Sequence, residues 1–156
     1  MGPIRDILTL FTKNKKETIY DFGYPVKLVE TSHEGAYSER DVETVYYNIV
    51  LEDGTIVGKI DLRLGMNDYL YYLGQVGYFI MKSYRGHNYA YYACLIIFEI
   101  AKNIFLLDNL IITCSPDNIA SRKTLTKLNG TLIETVEVPY NHELYWRDEK
   151  IKCIFK

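Results

Sequence analysis

The sequence has 156 residues, 48% of them hydrophobic and 24% charged, as is usual for a folded protein with one sizeable core. Its 18 Lys and Arg and 20 Asp and Glu give a formal charge of −2, which argues against nucleic acid as the main partner because phosphate binding needs concentrated cations. The three cysteines lack metal-ligand spacing, so we expect buried reduced thiols and no metal. Without an h-region or a membrane-length apolar run, we expect a cytoplasmic protein with no membrane partner.

The N-terminal half is predicted to form a short helix followed by an antiparallel meander within a single domain over residues 1–156. Pro3 and the helical spacing of Ile7 and Phe11 predict the helix. Asp53-Gly54 is a strong signal for a hairpin turn. The predicted elements are a helix over 3–11, a connector over 12–25, a loop over 31–43, and strands over Val26–Glu30, Val45–Leu51, Thr55–Leu64 and Tyr71–Met81.

The C-terminal half alternates strands and helices, which predicts an α/β arrangement with at least one parallel pair of strands. Ser115 is the predicted cap of the second helix, with Pro116 in its first turn, and Asn129-Gly130 is its predicted end. The predicted elements are a helix over Asn88–Phe105, a central apolar strand over Asn109–Cys114, a helix from Ser115 to Leu128, and strands over Thr131–Val138 and Lys150–Phe155.

Two predicted helix starts follow consecutive strands and together predict an anion-binding cleft. The first helix begins after the polar turn Arg85-Gly86-His87-Asn88, and the second begins around Asn118 to Ser121. A helix start presents free backbone N–H groups and the positive end of the helix dipole, which bind phosphate or pyrophosphate. Ligands of open α/β sheets bind at these carboxyl ends of strands.

The same residues resemble the GNAT N-acetyltransferase superfamily. The first motif of this superfamily is Gln or Arg, then two variable residues, Gly, one variable residue, and Gly or Ala. In this sequence Arg85 and Ala90 match the first and last positions, and Asn88 stands in place of the motif glycine. The residues that resemble its second motif are Asn118, Ser121, Leu125, Leu128 and Asn129-Gly130, with Asn129 in place of a glycine. Asparagine tolerates left-handed backbone best after glycine, so both turns can be kept.

The resemblance covers Val26 to Phe155 and implies an α+β fold with a mixed central sheet of about six to seven strands flanked by helices. The antiparallel meander would form one part of this sheet, and a parallel pair would lie at the cofactor cleft. The resemblance also implies acetyl-CoA as co-substrate, with pantetheine along the strand at Tyr78 and pyrophosphate at the helix start. The implied cofactor-binding residues are Tyr78, Phe79, Ile80, Arg85, Gly86, His87, Asn88, Tyr89, Ala90, Tyr91, Asn118 and Ser121.

The acid and base that many family members use are missing from their usual positions. Leu125 stands where a tyrosine acid is frequent, and Gln75 and Thr113 stand where glutamate bases are frequent. The candidates for catalysis are therefore His142, because histidine is a residue type suited to general-base work, and Tyr78 on the strand that the resemblance gives to the cofactor. Further loop candidates are His33, Glu34, Tyr140, Glu143 and Tyr145.

The sequence favours an N-acetyltransferase that transfers an acetyl group from acetyl-CoA to a primary amine of a small molecule or protein. The alternative is a non-catalytic acyl-CoA-binding or sensor module with the same fold, which Leu125 and Gln75 support. A purely structural protein is a third hypothesis. The acceptor is not specified by the sequence, and a homodimer stays open as the oligomeric state.

Overall fold

The computed structural model of the protein describes residues 7–12 and 15–156. In this part of the chain, nine strands form two antiparallel sheets, and four helices accompany them. The first sheet contains, in chain order, β1 (Ile7–Thr12), β2 (Lys15–Tyr20), β3 (Val26–Glu34), β4 (Thr44–Leu51), β5 (Ile56–Arg63) and β6 (Val76–Ile80). The second sheet contains β7 (Ile112–Cys114), β9 (Ile151–Phe155) and β8 (Leu132–Glu137), with β9 in the middle. The helices are α1 (Leu70–Leu73), α2 (Tyr89–Asn103), α3 (Ile119–Lys127) and α4 (Glu143–Trp146).

The α+β class and the antiparallel meander are confirmed, and α2 supplies the main helical layer of the core. Its residues Ala93, Ile96, Ile97 and Ile100 are fully buried, as the helical spacing predicts. They belong to the same buried cluster as Tyr47 and the other inward-facing residues of the first sheet. Among the described residues, no helix is both long and apolar enough to cross a membrane.

The predicted N-terminal helix is wrong where the structure describes it. Ile7–Thr12 is a strand that pairs with Lys15–Tyr20, and the second of these segments falls in the predicted connector. Residues 3–6 of the predicted helix lie outside the described residues. Both paired segments contain β-branched residues, which favour strands. Where the local pattern fits a helix and a strand equally, pairing with a neighbouring strand decides which one forms.

Two further boundaries differ from the prediction. Strand β3 continues to Glu34, so the loop after it is shorter than predicted. The predicted strand from Tyr71 to Met81 is divided into α1 and β6 at Gly74, which has a φ of +81°. A Cβ on Gly74 would lie 3.1 Å from the backbone nitrogen of Thr113, so close backbone packing against β7 requires glycine here.

The predicted parallel pair does not form a ladder in the described part of the chain, and β7 is an edge strand rather than a central one. The two sheets instead meet at Gln75. Its backbone N–H donates to the Ile111 carbonyl at 2.7 Å, and its side-chain Oε1 accepts from the Ile111 N–H at 2.9 Å. Gln75 is buried and acts as a bridge between the sheets, which explains the amide at this position.

Candidate active site

The turn before α2 has the backbone geometry that an anion site needs. Gly86 has a φ of +87°, and Asn88 lies in the left-handed region at φ 61° and ψ 22°. The left-handed turn predicted for Asn88 is therefore present. In the described part of the chain no side chain caps α2, and its first N–H groups, from Tyr89 to Tyr91, have no acceptor within the helix. They remain available to a phosphate.

The start of α3 is capped by Asn118 and not by Ser115. The Asn118 Oδ1 accepts a hydrogen bond from the Ser121 backbone N–H at 3.1 Å, and the Ser115 carbonyl accepts from the Asn118 N–H at 3.0 Å. The chain thus makes a turn at Pro116 before the helix begins. Because Oδ1 is engaged in the cap, the side-chain Nδ2 of Asn118 is the part that remains to donate to a ligand.

The end of α3 confirms the second predicted asparagine turn. Asn129 has a φ of +63°. The Asn129 N–H donates to the Thr126 carbonyl at 3.0 Å, and the Gly130 N–H donates to the Leu125 carbonyl at 2.9 Å. This pair of bonds is a Schellman motif, which ends a helix with a left-handed residue.

A groove of about 530 Å³ lies between β6, α2 and α3. Every predicted cofactor residue except His87 lines it, and His87 instead stacks beside Tyr89 with ring centroids 5.2 Å apart. The groove contains Arg85, Lys123 and Lys127 but no acidic side chain from the described residues. In a protein of net charge −2, this local excess of cations favours an anionic ligand.

Two of these cations are held by aromatic rings at the groove walls. The Arg85 Nε donates to the Ile80 carbonyl at 3.0 Å, and the guanidinium carbon lies 5.6 Å from the centre of the Phe79 ring. The Lys127 Nζ lies 4.3 Å from the centre of the Tyr91 ring. Sequence inspection missed Lys123 and Lys127, although their spacing of four places them on one face of α3.

Tyr78 crosses from β6 to α3 inside this groove. Its hydroxyl donates to the Ser121 Oγ at 3.0 Å. Burial raises the pKa of Tyr78 above its ordinary value, although hydrogen bonds with Ser121 and Thr124 lower it in part. The phenol is therefore protonated at neutral pH and can serve as a proton donor.

His142 does not have a free nitrogen with which to accept a substrate proton. It is 3% exposed and stacks on Tyr69 with ring centroids 4.0 Å apart. The Leu144 backbone N–H donates to its Nδ1 at 3.1 Å, so Nε2 carries the proton and donates to the Tyr69 carbonyl at 2.9 Å. This placement caps α4 and argues against His142 as the base.

The other residues that the sequence suggested for catalysis do not lie in the groove. His33 hydrogen-bonds Glu43, Glu143 pairs with Arg147 at 3.1 Å, and Tyr140 is 72% exposed. Thr113 donates its hydroxyl to the Tyr72 carbonyl at 3.0 Å. Glu34 and Tyr145, like these residues, are absent from the groove lining.

A second cavity of about 580 Å³ lies on the opposite side of α3, where Leu125, Leu128 and Phe155 contribute to its mainly apolar lining. It contains neither of the two helix starts. The free N–H groups and the unbalanced cations lie in the groove and not in this second cavity.

Comparison with known proteins agrees with this geometry. The sequence matches the acetyltransferase (GNAT) domain family over residues 4–131, which is most of the chain. The chain belongs to the GNAT acetyltransferase family. A search of curated proteins finds no match. The family assignment confirms the resemblance that the two asparagine-containing motifs indicated.

Similar solved structures show the same fold. One is the ribosomal L7/L12 α-N-protein acetyltransferase RimL, with a TM-score of 0.67, 10% identity, and coverage of 94% of this chain and 97% of that one. Another is the ribosomal-protein-S5-alanine acetyltransferase from Vibrio fischeri, with a TM-score of 0.57, 16% identity, and coverage of 72% and 60%. A third is the microcin C7 self-immunity acetyltransferase MccE in complex with acetyl-CoA and AMP, with a TM-score of 0.52, 16% identity, and coverage of 72% and 59%. The chain spans about three-fifths of the last two proteins.

Proposed function

We propose that this GNAT protein transfers an acetyl group from acetyl-CoA to a primary amine by direct attack. The observation that carries the proposal is the groove, in which two helix starts, three cations and a free strand edge occur together without an acidic side chain from the described residues. The family membership supports acyl transfer in general. The choice of acetyl-CoA and of an amine goes beyond that membership.

The residues of the groove fit the parts of the proposed co-substrate. The free N–H groups at Asn88–Tyr91 and the side chain of Arg85 suit the pyrophosphate. Among the described residues, strand β6 pairs with β5 along one edge only. On its other edge, backbone groups of Tyr78 to Ile80 can pair with the pantetheine amides, apart from the Ile80 carbonyl, which already accepts from Arg85. The Nδ2 of Asn118 can donate to the same arm.

Acetyl-CoA would supply a thioester carbonyl that a neutral amine attacks directly. The chain has to hold the amine beside it, accept one proton and provide another for the leaving sulfur. The protonated phenol of Tyr78 is the donor that the groove offers, and Ser121 orients its hydroxyl. Leu125, the position of the frequent tyrosine acid, is 2% exposed and packs in the core.

A melting curve with and without acetyl-CoA tests the proposed site. At about 100 times its dissociation constant, a ligand that binds only the folded protein adds about 2.7 kcal/mol to the free energy of unfolding. Adenosine and acetate are the controls, since neither carries the pyrophosphate or the pantetheine arm. If acetyl-CoA at millimolar concentration leaves the melting temperature unchanged, both the enzyme and the sensor are rejected.

A second measurement separates the enzyme from the alternative, a non-catalytic acyl-CoA sensor. Thiol release is followed with acetyl-CoA and a panel of primary amines that includes a peptide with a free α-amino group, since RimL is an α-N-protein acetyltransferase. The enzyme releases thiol in proportion to acetylated amine, whereas the sensor shifts the melting temperature and releases none.

A further inference from the structure

Asp61 lies on the face of the first sheet that is opposite to the core. Its neighbours on β5, Ile60 and Leu62, are 1% and 0% exposed, so the alternation of side chains directs Asp61 to the outer face. In the ladder, Asp61 is opposite Gly77 of β6, and Ile60 is opposite Tyr78. The Asp61 carboxylate on β5 therefore lies on the outer face of the sheet beside Gly77, whereas Tyr78, the next residue of β6, points to the opposite face, toward the groove.

The Asp61 carboxylate has an oxygen without a hydrogen-bond partner. Its Oδ1 is buried and makes no hydrogen bond to any described residue. The closest cation, the Nη2 of Arg63, lies 3.8 Å away, which is beyond hydrogen-bond distance, and the Nη1 of Arg63 donates to the Gly74 carbonyl at 2.7 Å. A buried carboxylate oxygen with no donor is costly in a purely structural role.

Gly77 opens the space beside this carboxylate. A Cβ at Gly77 would lie 3.0 Å from the Asp61 Oδ2 and 3.3 Å from its Oδ1, so a methyl group there would push the carboxylate aside by a few tenths of an ångström. The carboxylate consequently lies directly against β6, whose free edge borders the groove. Neighbouring strands are about 4.8 Å apart, so a ligand paired with that edge would lie about one strand spacing from β6 and about two from the Asp61 backbone on β5; the carboxylate, which reaches across Gly77, spans part of this distance.

We propose that Asp61 is the catalytic base, which accepts the proton of a cationic amine that approaches from the outer face of the sheet. This inference rests on the proposed acetyl transfer. The ammonium gives one proton to the Asp61 carboxylate, and the neutral amine forms the N–C bond as the C–S bond breaks. The thiolate takes the phenolic proton of Tyr78, the second N–H proton restores that phenol, and protonated Asp61 then gives its proton to solvent. The net products are the amide, the free thiol and one proton released to solvent.

The ionisable neighbours of Asp61 on its own face are few. Lys59 and Arg63 lie two residues before and two residues after Asp61 on β5, and Tyr46 is opposite Asp61 on β4. Strand β6 contributes Gly77 and Phe79, neither of which is ionisable. Burial raises the pKa of Asp61, and Arg63 and the Gly77 backbone only partly oppose this shift. A raised carboxylate pKa brings the base closer to neutral pH, where proton transfer is most effective.

The test uses Asp61→Asn with Asp148→Asn as the matched control. Asp148 is 95% exposed and has a φ of +66°, which asparagine tolerates. The probes are ethylamine, spermidine and an alanine-initiated tetrapeptide. We expect Asp61→Asn to lower kcat/KM by about 10² to 10⁴ and to remove the acidic limb of its pH profile, while the melting shift with acetyl-CoA is unchanged. Asp148→Asn should match the original protein in each measurement.

A second readout needs neither cofactor nor turnover. Because the folded-state pKa of Asp61 is raised, the stabilisation that its protonated form provides is lost as the pH rises through that pKa. Asp61→Asn should therefore melt at a higher temperature than the original protein at neutral pH, and the difference should shrink toward about pH 3. A lower melting temperature at neutral pH would identify Asp61 as a structural partner of Arg63 and overturn the inference.

Gly77→Ala provides an independent variant that keeps the carboxylate. Its methyl group should displace Asp61 and lower kcat/KM with little change in acetyl-CoA binding. Unchanged turnover in both variants would reject Asp61 as the base. Absence of acetyl-CoA binding, or binding without turnover of any probe by the original protein, would instead reject the proposed enzyme itself.

Discussion

The two sides of β6 are built in different ways. On the groove side, the groups proposed to bind the cofactor are the free backbone N–H groups at the start of α2 and the Asn118 side chain at the start of α3, and they come from short contiguous segments around Asn88 and Asn118. On the outer side, the proposed proton transfer depends on the side chain of Asp61, whose surroundings come from β4, β5 and β6.

From this difference we expect cofactor binding to tolerate local substitutions that proton transfer does not. A left-handed turn needs only a residue that accepts a positive φ, and Asn88 provides it in place of glycine. An acid or base needs a certain burial and certain neighbours, which no short motif specifies. Members of one family can therefore share a cofactor site while their proton-transfer residues differ in position.

The largest expected effect separates the two residues that the sequence suggested for catalysis. Tyr78→Phe should lower kcat by about 10² to 10⁴ with retained acetyl-CoA binding, because it removes the phenolic proton and keeps the ring. Ser121→Ala is its control and should have a much smaller effect, since the phenol remains.

His142→Ala should cost about 1–3 kcal/mol of stability by removing a buried hydrogen-bonded ring, with turnover of the folded protein retained.

Thiol-release kinetics and denaturant unfolding measure both outcomes. If His142→Ala abolishes turnover in protein that is still folded, the base belongs to the C-terminal loop and not to β5. The contrast between the two sides of β6 would then need a different explanation.

Charge reversal in the groove should have the next largest effect. Arg85→Glu puts a carboxylate beside the proposed pyrophosphate site and should weaken acetyl-CoA binding by about 100-fold or more, equivalent to about 2.7 kcal/mol. Titration calorimetry measures this change. Arg147→Glu changes the net charge equally but lies outside the groove, so its affinity should match the original protein. Equal losses in both variants would point to net charge and not to a site.

The smallest expected effect compares the two left-handed asparagines. Asn88→Ala and Asn129→Ala should each destabilise the protein by about 1–2 kcal/mol, because alanine tolerates a positive φ poorly. Only Asn88→Ala should also weaken acetyl-CoA binding, since Asn129 ends α3 outside the groove. Chemical denaturation and calorimetry of the matched pair provide the measurement. Equal affinities would remove the Asn88 turn from the binding site.

Part of the fold and most of the groove could be predicted because their signals are local. Helix α2 follows from apolar residues at helical spacing, and the hairpin before β5 follows from Asp53-Gly54. The N-terminal segment was predicted wrongly because the apolar residues of Ile7–Thr12 fit both the helical and the strand period. Its pairing with β2 decides in favour of a strand. His142 was predicted to be a general base from its residue type alone. Its stacking on Tyr69 and its two hydrogen bonds, which argue against that role, arise only in the folded chain.

The sequence by itself determined the family, the two helix starts and the left-handed turns, since each depends on residues within a few positions of one another. Only the tertiary structure decided that Gln75 bridges the sheets, that β6 and β7 share no ladder in the described residues, and that Asp61 lies against Gly77 with a buried oxygen free. Burial and hydrogen-bond satisfaction are properties of segments distant in sequence that become neighbours. For this reason the residues of the groove were predicted from local motifs, whereas Asp61 could be proposed as the base only from the fold.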